Sequence, residues 1–477
     1  MTAPGSRDRL VLGTLLPGFD GTELPGWLAA RLAGGLAGVC LFATNIASPS
    51  QLRRLTGEIR AANPFAIIAI DEEGGDVTRL YQSVGSPFPG NAILGRLDDL
   101  LLTESVARRV GAELRAAGID LDLAPTIDIN SNDDNPVIGT RSFGADPQLV
   151  ARHGAAWVEG LQSTGIAASA KHFPGHGDTA TDSHLALPTV DLPLDALRRR
   201  ELVPFAAAIA AGTRTIMTSH ILLPQLDAQP ATFSERILGE LLRGQLGFTG
   251  VIVTDALDMR GADDEDGLPG AAARALAAGA DLLCLGTANT EEQLAAIVAG
   301  VSAAVDDGRL SVARPADAAR RVAELAGELR SQAVRPFAVP DPLPEFDTAV
   351  IARAFDLASG LRLRADRALV QLRTESNIAV GDSPWGPAAA GAPVQWLAEG
   401  EPLIVDSDRQ PVLIGRDNHR RAWTRRAIDE ARSRHPDVVV VDMGWPAADR
   451  RYADIATFGA SRLAGAALLR LLEERGR

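Results

Sequence analysis

The chain has 477 residues, of which 46% are hydrophobic, and carries a formal net charge of −14. This length is enough for two or three domains with a large buried core, and the composition is typical of a globular protein. The acidic balance, without any basic block, argues against nucleic acid and anionic membrane surfaces as partners. Cys40 and Cys284 lie in apolar runs and predict no disulfide framework. No signal peptide or membrane-spanning run is recognised, so the sequence predicts a cytoplasmic protein.

Eight short apolar runs follow one another along the first part of the chain, and helix-like segments rich in Ala, Leu and Arg separate them. Such runs predict parallel strands buried on both faces, and eight β/α repeats favour a (β/α)8 TIM-type barrel over an open doubly wound sheet. The first and fourth runs are the least regular. The runs are VLGTLL (11–16), GVCLFA (38–43), AIIAID (66–71), DLDLAP (120–125), ASAKHF (168–173), RTIMTSH (214–220), GVIVTD (250–255) and ADLLCLG (280–286).

The pattern of alternating apolar runs and helix-like segments changes after the barrel repeats. PFAVPDPLPEFD, residues 336–347, holds four prolines and predicts a linker. We therefore predict an α/β protein with a catalytic barrel at 1–335 and a smaller α/β domain at 348–477. The second part contains the strand-like runs ALVQL, PVLIG and DVVVVDMG, but no group of titratable residues comparable to those of the first part.

Polar clusters stand at the ends of most of the apolar runs. They comprise residues 71–75, 125–128, 171–172, 219–220 and 254–255. Because the C-terminal ends of all barrel strands converge on one face, where barrel enzymes keep their active sites, these clusters predict a single pocket.

The stretch KHFPGHGDTATDSH, residues 171–184, holds three of the seven histidines. Asp182 and His184 are two residues apart, so a bend would bring the carboxylate to the imidazole and fix its tautomer and orientation. A competing interpretation is a zinc site, since nitrogen and oxygen ligands are plentiful. Neither HExxH nor a cysteine-rich spacing is present, and we predict no metal. The residues that would serve the zinc interpretation are His172, His176, Asp178, Asp182 and His184.

The same stretch holds Lys171, the only lysine of the chain, beside 46 arginines elsewhere. A compositional bias toward arginine should spare a lysine only where a compact ammonium with three rotatable donors is required. Chance survival at a neutral position is the alternative.

Other strand-end residues complete the candidate pocket. Asp255 follows an apolar run directly and could be a nucleophile, a general base or the partner of a cation, although such an Asp is often a helix N-cap. Asp71 could accept two hydroxyls of a sugar, and Arg79 and Arg141 could donate to hydroxyl or carbonyl oxygens. Taken singly, these three residues are equally consistent with surface ion pairs.

Four stretches together resemble glycoside hydrolase family 3, and within it the β-N-acetylhexosaminidase branch: KHFPGHGDTATDSH, IDEEGGDVTRL, NPVIGTRSFG and GVIVTDALDM, over roughly residues 10–330. The resemblance implies a retaining barrel enzyme in which Asp255 is the nucleophile and His184, oriented by Asp182, is the general acid/base. It also implies a set of sugar-binding residues, namely Asp71, Arg79, Arg141, Lys171 and His172.

The sequence departs from the family pattern at two positions. Asp76 stands where the family usually has Arg, which reverses a charge near the pocket and leaves open how the leaving-group side is contacted. Ala256 follows the expected nucleophile, where an acidic residue is common.

The expected function is therefore that of an exo-acting β-N-acetylglucosaminidase without cofactors, whose partner is an amino-sugar substrate derived from the cell wall. One alternative is a phosphorylase that takes inorganic phosphate at the same site, since a histidine acid/base does not repel that anion. Another is a broader β-glucosidase. A sugar-binding barrel without activity is disfavoured because Asp255, Asp182 and His184 are all present.

Overall fold

The computed structural model describes residues 6–263, 267–333, 346–406 and 408–476. Most of the predicted linker, residues 336–345, lies outside the described residues, and the predicted domain boundaries stay a prediction. Within the described ranges, no helix is both long and apolar enough to cross a membrane.

Eight parallel strands form the barrel. Strands β2 to β7 pair in chain order, and β1 pairs with β8. The Cys40 amide donates to the Pro17 carbonyl, and a parallel bridge joins Val253 to Leu282, so both remaining gaps are closed. The strands are β1 Leu15–Leu16, β2 Gly38–Leu41, β3 Ile67–Ile70, β4 Leu121–Asp122, β5 Ala167–Phe173, β6 Thr215–Thr218, β7 Val251–Val253 and β8 Leu283–Cys284.

All eight predicted runs contain a strand, which confirms the TIM-type barrel. The prediction of a strand from residue 11 was wrong, because Val11 and Leu12 belong to a helix whose apolar face is fully buried in the main core. The chain leaves this helix at Gly13, whose amide donates to the Arg9 carbonyl, and becomes a strand only at Leu15.

Helices surround the strands. Several begin at a side chain that satisfies a free amide of the first turn: Asp146, followed by Pro147, accepts from the Leu149 amide. The helices are α1 Ser6–Leu12, α2 Gly26–Ala33, α3 Pro49–Ala62, α4 Asn91–Leu97, α5 Leu100–Ala117, α6 Pro147–Gln162, α7 Leu194–Arg199, α8 Leu202–Ala210, a further helical segment Arg236–Gln245, α9 Gly267–Ala278, α10 Glu291–Asp306 and α11 Ala313–Ala333.

The side chains of the strands alternate between two apolar clusters. In β3, Ile67 and Ala69 point into the barrel interior, whereas Ile68 and Ile70 face the surrounding helices. The interior cluster also holds Cys40 and Cys284, which are free and buried. Val322, Leu325, Ala326 and Leu329 of α11 belong to the same cluster and close the barrel at one end. The other end is therefore the one that is open to ligands.

The chain after the barrel forms a separate sheet of six strands in the order β11-β10-β12-β13-β14-β9, and all of them are parallel except β9. Its strands are β9 Asp356–Leu357, β10 Arg367–Leu372, β11 Gln395–Leu397, β12 Gln410–Gly415, β13 Val439–Asp442 and β14 Ile455–Ala456, and its helices are α12 Thr348–Ala352, α13 Gly386–Ala389, α14 Ala422–Arg434 and α15 Arg462–Arg475. Ile93 of the barrel packs into the apolar cluster of this second part. The Trp445 indole donates to Asp133 Oδ1 at 3.0 Å, which adds a polar tie between the two parts.

Candidate active site

A cavity of about 340 Å³ opens at the C-terminal ends of the barrel strands. Seven of the eight predicted site residues line it: Asp71, Arg79, Arg141, Lys171, His172, His184 and Asp255. The eighth, Asp182, lies behind His184 and is 7% exposed. The structure therefore brings the whole predicted set together.

The alternation of side chains between the two faces of each strand explains why these residues converge on the cavity. Ile67 and Ala69 of β3 face the interior, and Asp71 continues the same alternation beyond the strand end. Val251 and Val253 of β7 do the same for Asp255. The inward positions thus change from apolar to charged where each strand reaches the open end of the barrel.

Lys171 lies between two carboxylates at the bottom of one side of the cavity. Its Nζ is 2.7 Å from Asp71 Oδ1 and 2.8 Å from Glu73 Oε1, and the residue is 2% exposed. Burial opposes the charged form of this amine, but the two carboxylates raise its pKa above the ordinary value. Lys171 is therefore a fixed, fully charged ammonium.

Glu73 connects this lysine to Arg141. Arg141 donates from Nε to Glu73 Oε2 at 2.9 Å and from Nη2 to Oε1 at 2.7 Å, a bidentate pair that is almost completely buried. Burial opposes ionisation of Glu73, but Arg141 and Lys171 hold its pKa well below the usual range. Glu73 was not among the predicted site residues. The signal was available, because Glu73 has the same inward parity as Asp71.

His172 is held from behind by Asp128. Asp128 Oδ2 is 2.6 Å from His172 Nδ1, and Oδ1 accepts from the His176 amide at 2.7 Å. Burial opposes ionisation of Asp128, but the interaction and hydrogen bond with His172 lower the pKa of this carboxyl. An irregular register between Ala170 and Phe173 in β5 accompanies the placement of both Lys171 and His172 at the cavity.

Asp182 orients His184 by two contacts with one oxygen. Asp182 Oδ1 is 2.7 Å from His184 Nδ1 and accepts from the His184 amide at 2.9 Å. Burial opposes ionisation of Asp182, but the hydrogen bonds from His184 hold its pKa below the ordinary value. Because Nδ1 is engaged, Nε2 is the nitrogen that His184 offers to a molecule in the cavity.

Ser183 fixes the loop between these two residues. Its hydroxyl is 2.9 Å from His176 Nε2, and its carbonyl accepts from the Gly261 amide at 3.1 Å. Burial lowers the pKa of His176 to about 4, so this imidazole is neutral near neutral pH and can share a hydrogen bond with the hydroxyl. These two contacts therefore hold the loop between Asp182 and His184 in a defined position at the site.

Asp255 is half-buried on the opposite wall, and Oδ1 accepts from the amide of Ala256 at 2.8 Å. Burial opposes its ionisation, but the nearby imidazoles of His172, His220 and His184 lower its pKa below the ordinary value. No helix begins directly after Asp255, so the carboxylate does not serve as a helix cap. It is an ionised oxygen base facing the cavity.

The zinc interpretation finds no support in the geometry. Among the described residues, no group of three or more His, Cys, Asp or Glu side chains is arranged to hold a metal ion. His172 of β5 and His176 just after it are each bonded to a neighbour instead, His172 to Asp128 and His176 to Ser183 and Thr179.

Asp76, the departure from the family pattern, does not line the cavity. Its Oδ2 accepts from the Thr140 hydroxyl and its Oδ1 from the Ala460 amide, both at 2.8 Å. Burial raises its pKa. The Thr140 bond lies within the barrel and the Ala460 bond joins the barrel to the second part of the chain, so both carboxylate oxygens are engaged away from the cavity.

The fold and the site are those of a barrel enzyme in which a carboxylate and a carboxylate-held histidine face one cavity, a pair that suits glycoside hydrolysis. The chain belongs to glycosyl hydrolase family 3, since the family model for the N-terminal domain matches residues 25–325. This confirms the resemblance recognised in the sequence.

Curated relatives and solved structures agree with this assignment. A Beta-hexosaminidase of Pseudomonas aeruginosa is 40% identical over 292 residues, which are 60% of this chain and 86% of that protein. The Beta-hexosaminidase A of Pseudoalteromonas piscicida is 40% identical over 267 residues, 51% of this chain and 44% of the relative. The structure of a glycoside hydrolase family 3 β-N-acetylglucosaminidase from Paenibacillus sp. str. FPU-7 superposes with a TM-score of 0.86 at 31% identity and covers 99% of this chain and 97% of that one.

Proposed function

We propose that the chain is a retaining, exo-acting β-N-acetylglucosaminidase that hydrolyses terminal N-acetyl-β-glucosaminides. The observation that carries the proposal is the pairing of an ionised Asp255 with a His184 that Asp182 orients, both facing one cavity. The names of the relatives that share this barrel support the choice of substrate.

In the first step, the Asp255 carboxylate attacks the anomeric carbon, and the protonated His184 donates from Nε2 to the departing glycosidic oxygen. The ionised Asp182 stabilises the imidazolium until that proton leaves. A covalent glycosyl-enzyme forms, and the leaving group departs as an alcohol. In the second step, the neutral His184 takes a proton from water, which displaces Asp255 with a second inversion, so the configuration is retained.

The ionic cluster on the other side of the cavity suits the recognition of sugar hydroxyls. Lys171 Nζ uses two of its three donors on Asp71 and Glu73 and keeps one for a ligand. Asp71, which is 18% exposed at its side chain, offers acceptor oxygens to the same ligand. A fixed set of donors and acceptors of this kind discriminates by hydroxyl position, because a missing partner would leave a buried charge unpaired.

The test is the hydrolysis of para-nitrophenyl N-acetyl-β-glucosaminide by the full chain and by Asp255→Ala. We expect kcat/KM to fall by about 10³-fold or more, because the covalent intermediate cannot form. Circular dichroism of both proteins is the control for folding. Undiminished turnover by a folded Asp255→Ala variant would reject the proposal, and NMR of the first-formed anomer tests retention.

Phosphorolysis is a second candidate, favoured by the use of an imidazole as the acid/base, since a carboxylate there would repel phosphate. Running the same assay with and without inorganic phosphate and identifying the sugar product distinguishes the two reactions. A cytoplasmic location and an origin of the substrate in cell-wall amino sugars are part of the proposal.

A further inference from the structure

A segment of the second part of the chain reaches the rim of the active-site cavity. This segment, residues 377–379, follows β10 and is named the capping segment. Asn377 Nδ2 donates to the carbonyls of Pro136 at 3.3 Å and Val137 at 3.4 Å. Ile378 and Ala379 then line the cavity, the two residues from beyond the barrel that do so in the described part of the chain.

Contacts on the other side of the capping segment hold it against the loop after β3. Arg79 Nη2 donates to the Ala379 carbonyl at 3.0 Å, and Gln82 Nε2 donates to the Asp382 carbonyl at 2.7 Å. Two barrel loops therefore grip the segment from both flanks. Its position is defined by hydrogen bonds, although Ile378 itself remains 56% exposed.

The topology of the barrel gives the relative positions in the cavity: Asp71 and Arg79 follow β3, and Asp255 follows β7, four strands further around the eight-stranded barrel. Arg79 touches the capping segment at one end and lies 3.9 Å from Asp71 at the other. A continuous series of polar contacts then leads toward the reacting pair, through Arg79, Asp71, Lys171, Glu73, Arg141 and His172. His172 acts electrostatically on Asp255. The capping segment, which Arg79 binds, thus lies on the side of the cavity opposite Asp255.

We propose that Ile378 and Ala379 form the end wall of the sugar subsite and restrict the enzyme to a single terminal sugar. This inference rests on the proposed function. The leaving group has to depart on the side of His184, so a further sugar on the nonreducing end would occupy the place of the capping segment. A cavity of about 340 Å³ is at the small end of ligand pockets, which run from roughly 300 to 1,000 Å³, and suits one sugar ring.

The wall also has a contribution to binding. The Ile378 side chain is an apolar surface next to the Arg79 and Asp71 pair, and a bound sugar would cover it and exclude water from that pair. The family model ends at residue 325, so this role belongs to a part of the chain that the family match does not include.

The experiment compares the full-length wild type with Ile378→Ala and Asn377→Ala, with Ile404→Ala as the matched control. Ile404 is also in the second part and is 70% exposed, but it does not line the cavity. The substrates are para-nitrophenyl N-acetyl-β-glucosaminide and para-nitrophenyl N,N′-diacetylchitobioside. Products are separated at early times, so that release of the intact disaccharide is distinguished from stepwise release of single sugars.

For Ile378→Ala we expect KM for the monosaccharide substrate to rise on the order of fivefold with kcat nearly unchanged, because the lost contact is made equally in the ground state and the transition state. The disaccharide should also be released intact, which the wild type and Ile404→Ala should not do. Asn377→Ala should change both readouts in the same direction through a looser segment. The proposal of an end wall is overturned if the wild type is active on the monosaccharide substrate and all three variants are indistinguishable from it on both substrates. An inactive wild type overturns the proposed function instead.

Discussion

The substitution Lys171→Met keeps an unbranched side chain, one atom shorter, and removes the charge, which leaves Asp71 and Glu73 without the cation between them. At an effective dielectric constant of about 20, an ion pair at the observed 2.7–2.8 Å is worth about 6 kcal/mol before desolvation. Desolvation of the buried ammonium cancels much of this in the wild type. Removing one partner of a buried ion pair costs about 3–5 kcal/mol of folding stability. Because Arg141 still binds Glu73 in the variant, we expect the free energy of unfolding to fall by the lower figure, about 3 kcal/mol.

The loss should depend on pH with a definite sign. In the wild type, Arg141 and Lys171 lower the pKa of Glu73, so this carboxylate stabilises the fold fully above its unfolded pKa of about 4.3 and loses that contribution as the pH falls through the folded pKa. Without Lys171 the lowering is smaller. The difference in free energy of unfolding between variant and wild type should therefore be largest near neutral pH and shrink in acid.

Urea denaturation of both proteins at about pH 7 and about pH 4 measures this difference. Lys171→Arg is the matched variant, because it keeps the charge but needs more room; it should lose kcat/KM on the sugar substrate while keeping most of the stability. Equal stabilities of wild type and Lys171→Met at neutral pH, or a penalty that grows toward acid, would refute the reasoning about the cluster.

Asp182→Asn should lower kcat/KM by about 100-fold, because the amide neither stabilises the His184 imidazolium nor fixes its ring as a carboxylate does; an unchanged steady-state rate would contradict the role. Burial raises the pKa of Glu72 to about 7. Between about pH 4.5 and about pH 7 the folded chain therefore keeps a proton that the unfolded chain has released. Because of this difference, Glu72 lowers the free energy of unfolding as the pH rises from about 4.5 to about 7. Glu72→Gln should therefore raise the free energy of unfolding by about 1–3 kcal/mol at about pH 8 with no gain at about pH 4, and a gain of equal size at both would contradict the assignment.

The barrel could be predicted because its signal is local. Each strand is a short apolar run, and each change from apolar to charged residues marks the open end, so Asp71, Lys171 and Asp255 could be placed there by position. The start of β1 could not be found in this way. Val11 and Leu12 are as apolar as Leu15 and Leu16, and only packing in the main core decides that the first pair is helical.

The site was predicted less completely where partners are distant in the chain. Glu73 lies 98 residues from Lys171 and 68 from Arg141, and nothing near it in sequence shows that both cations converge on it. Asp128 was noticed as a strand-end residue, but its hold on His172 depends on the register of two neighbouring strands. The capping segment reaches Arg79 across 300 residues, and no local pattern predicts such a contact.

The contacts of Glu73 explain why the chain has its single lysine at position 171. Glu73 Oε1 accepts from Arg141 Nη2 at 2.7 Å and from Lys171 Nζ at 2.8 Å, so one buried oxygen serves two cations. A second guanidinium at position 171 would have to bring its planar fork to an oxygen that the fork of Arg141 already engages, and it would also have to reach Asp71 Oδ1. An ammonium directs three donors from one atom and can bind both carboxylates without blocking either. A chain that uses arginine at every other basic position therefore has a geometric reason to keep lysine here.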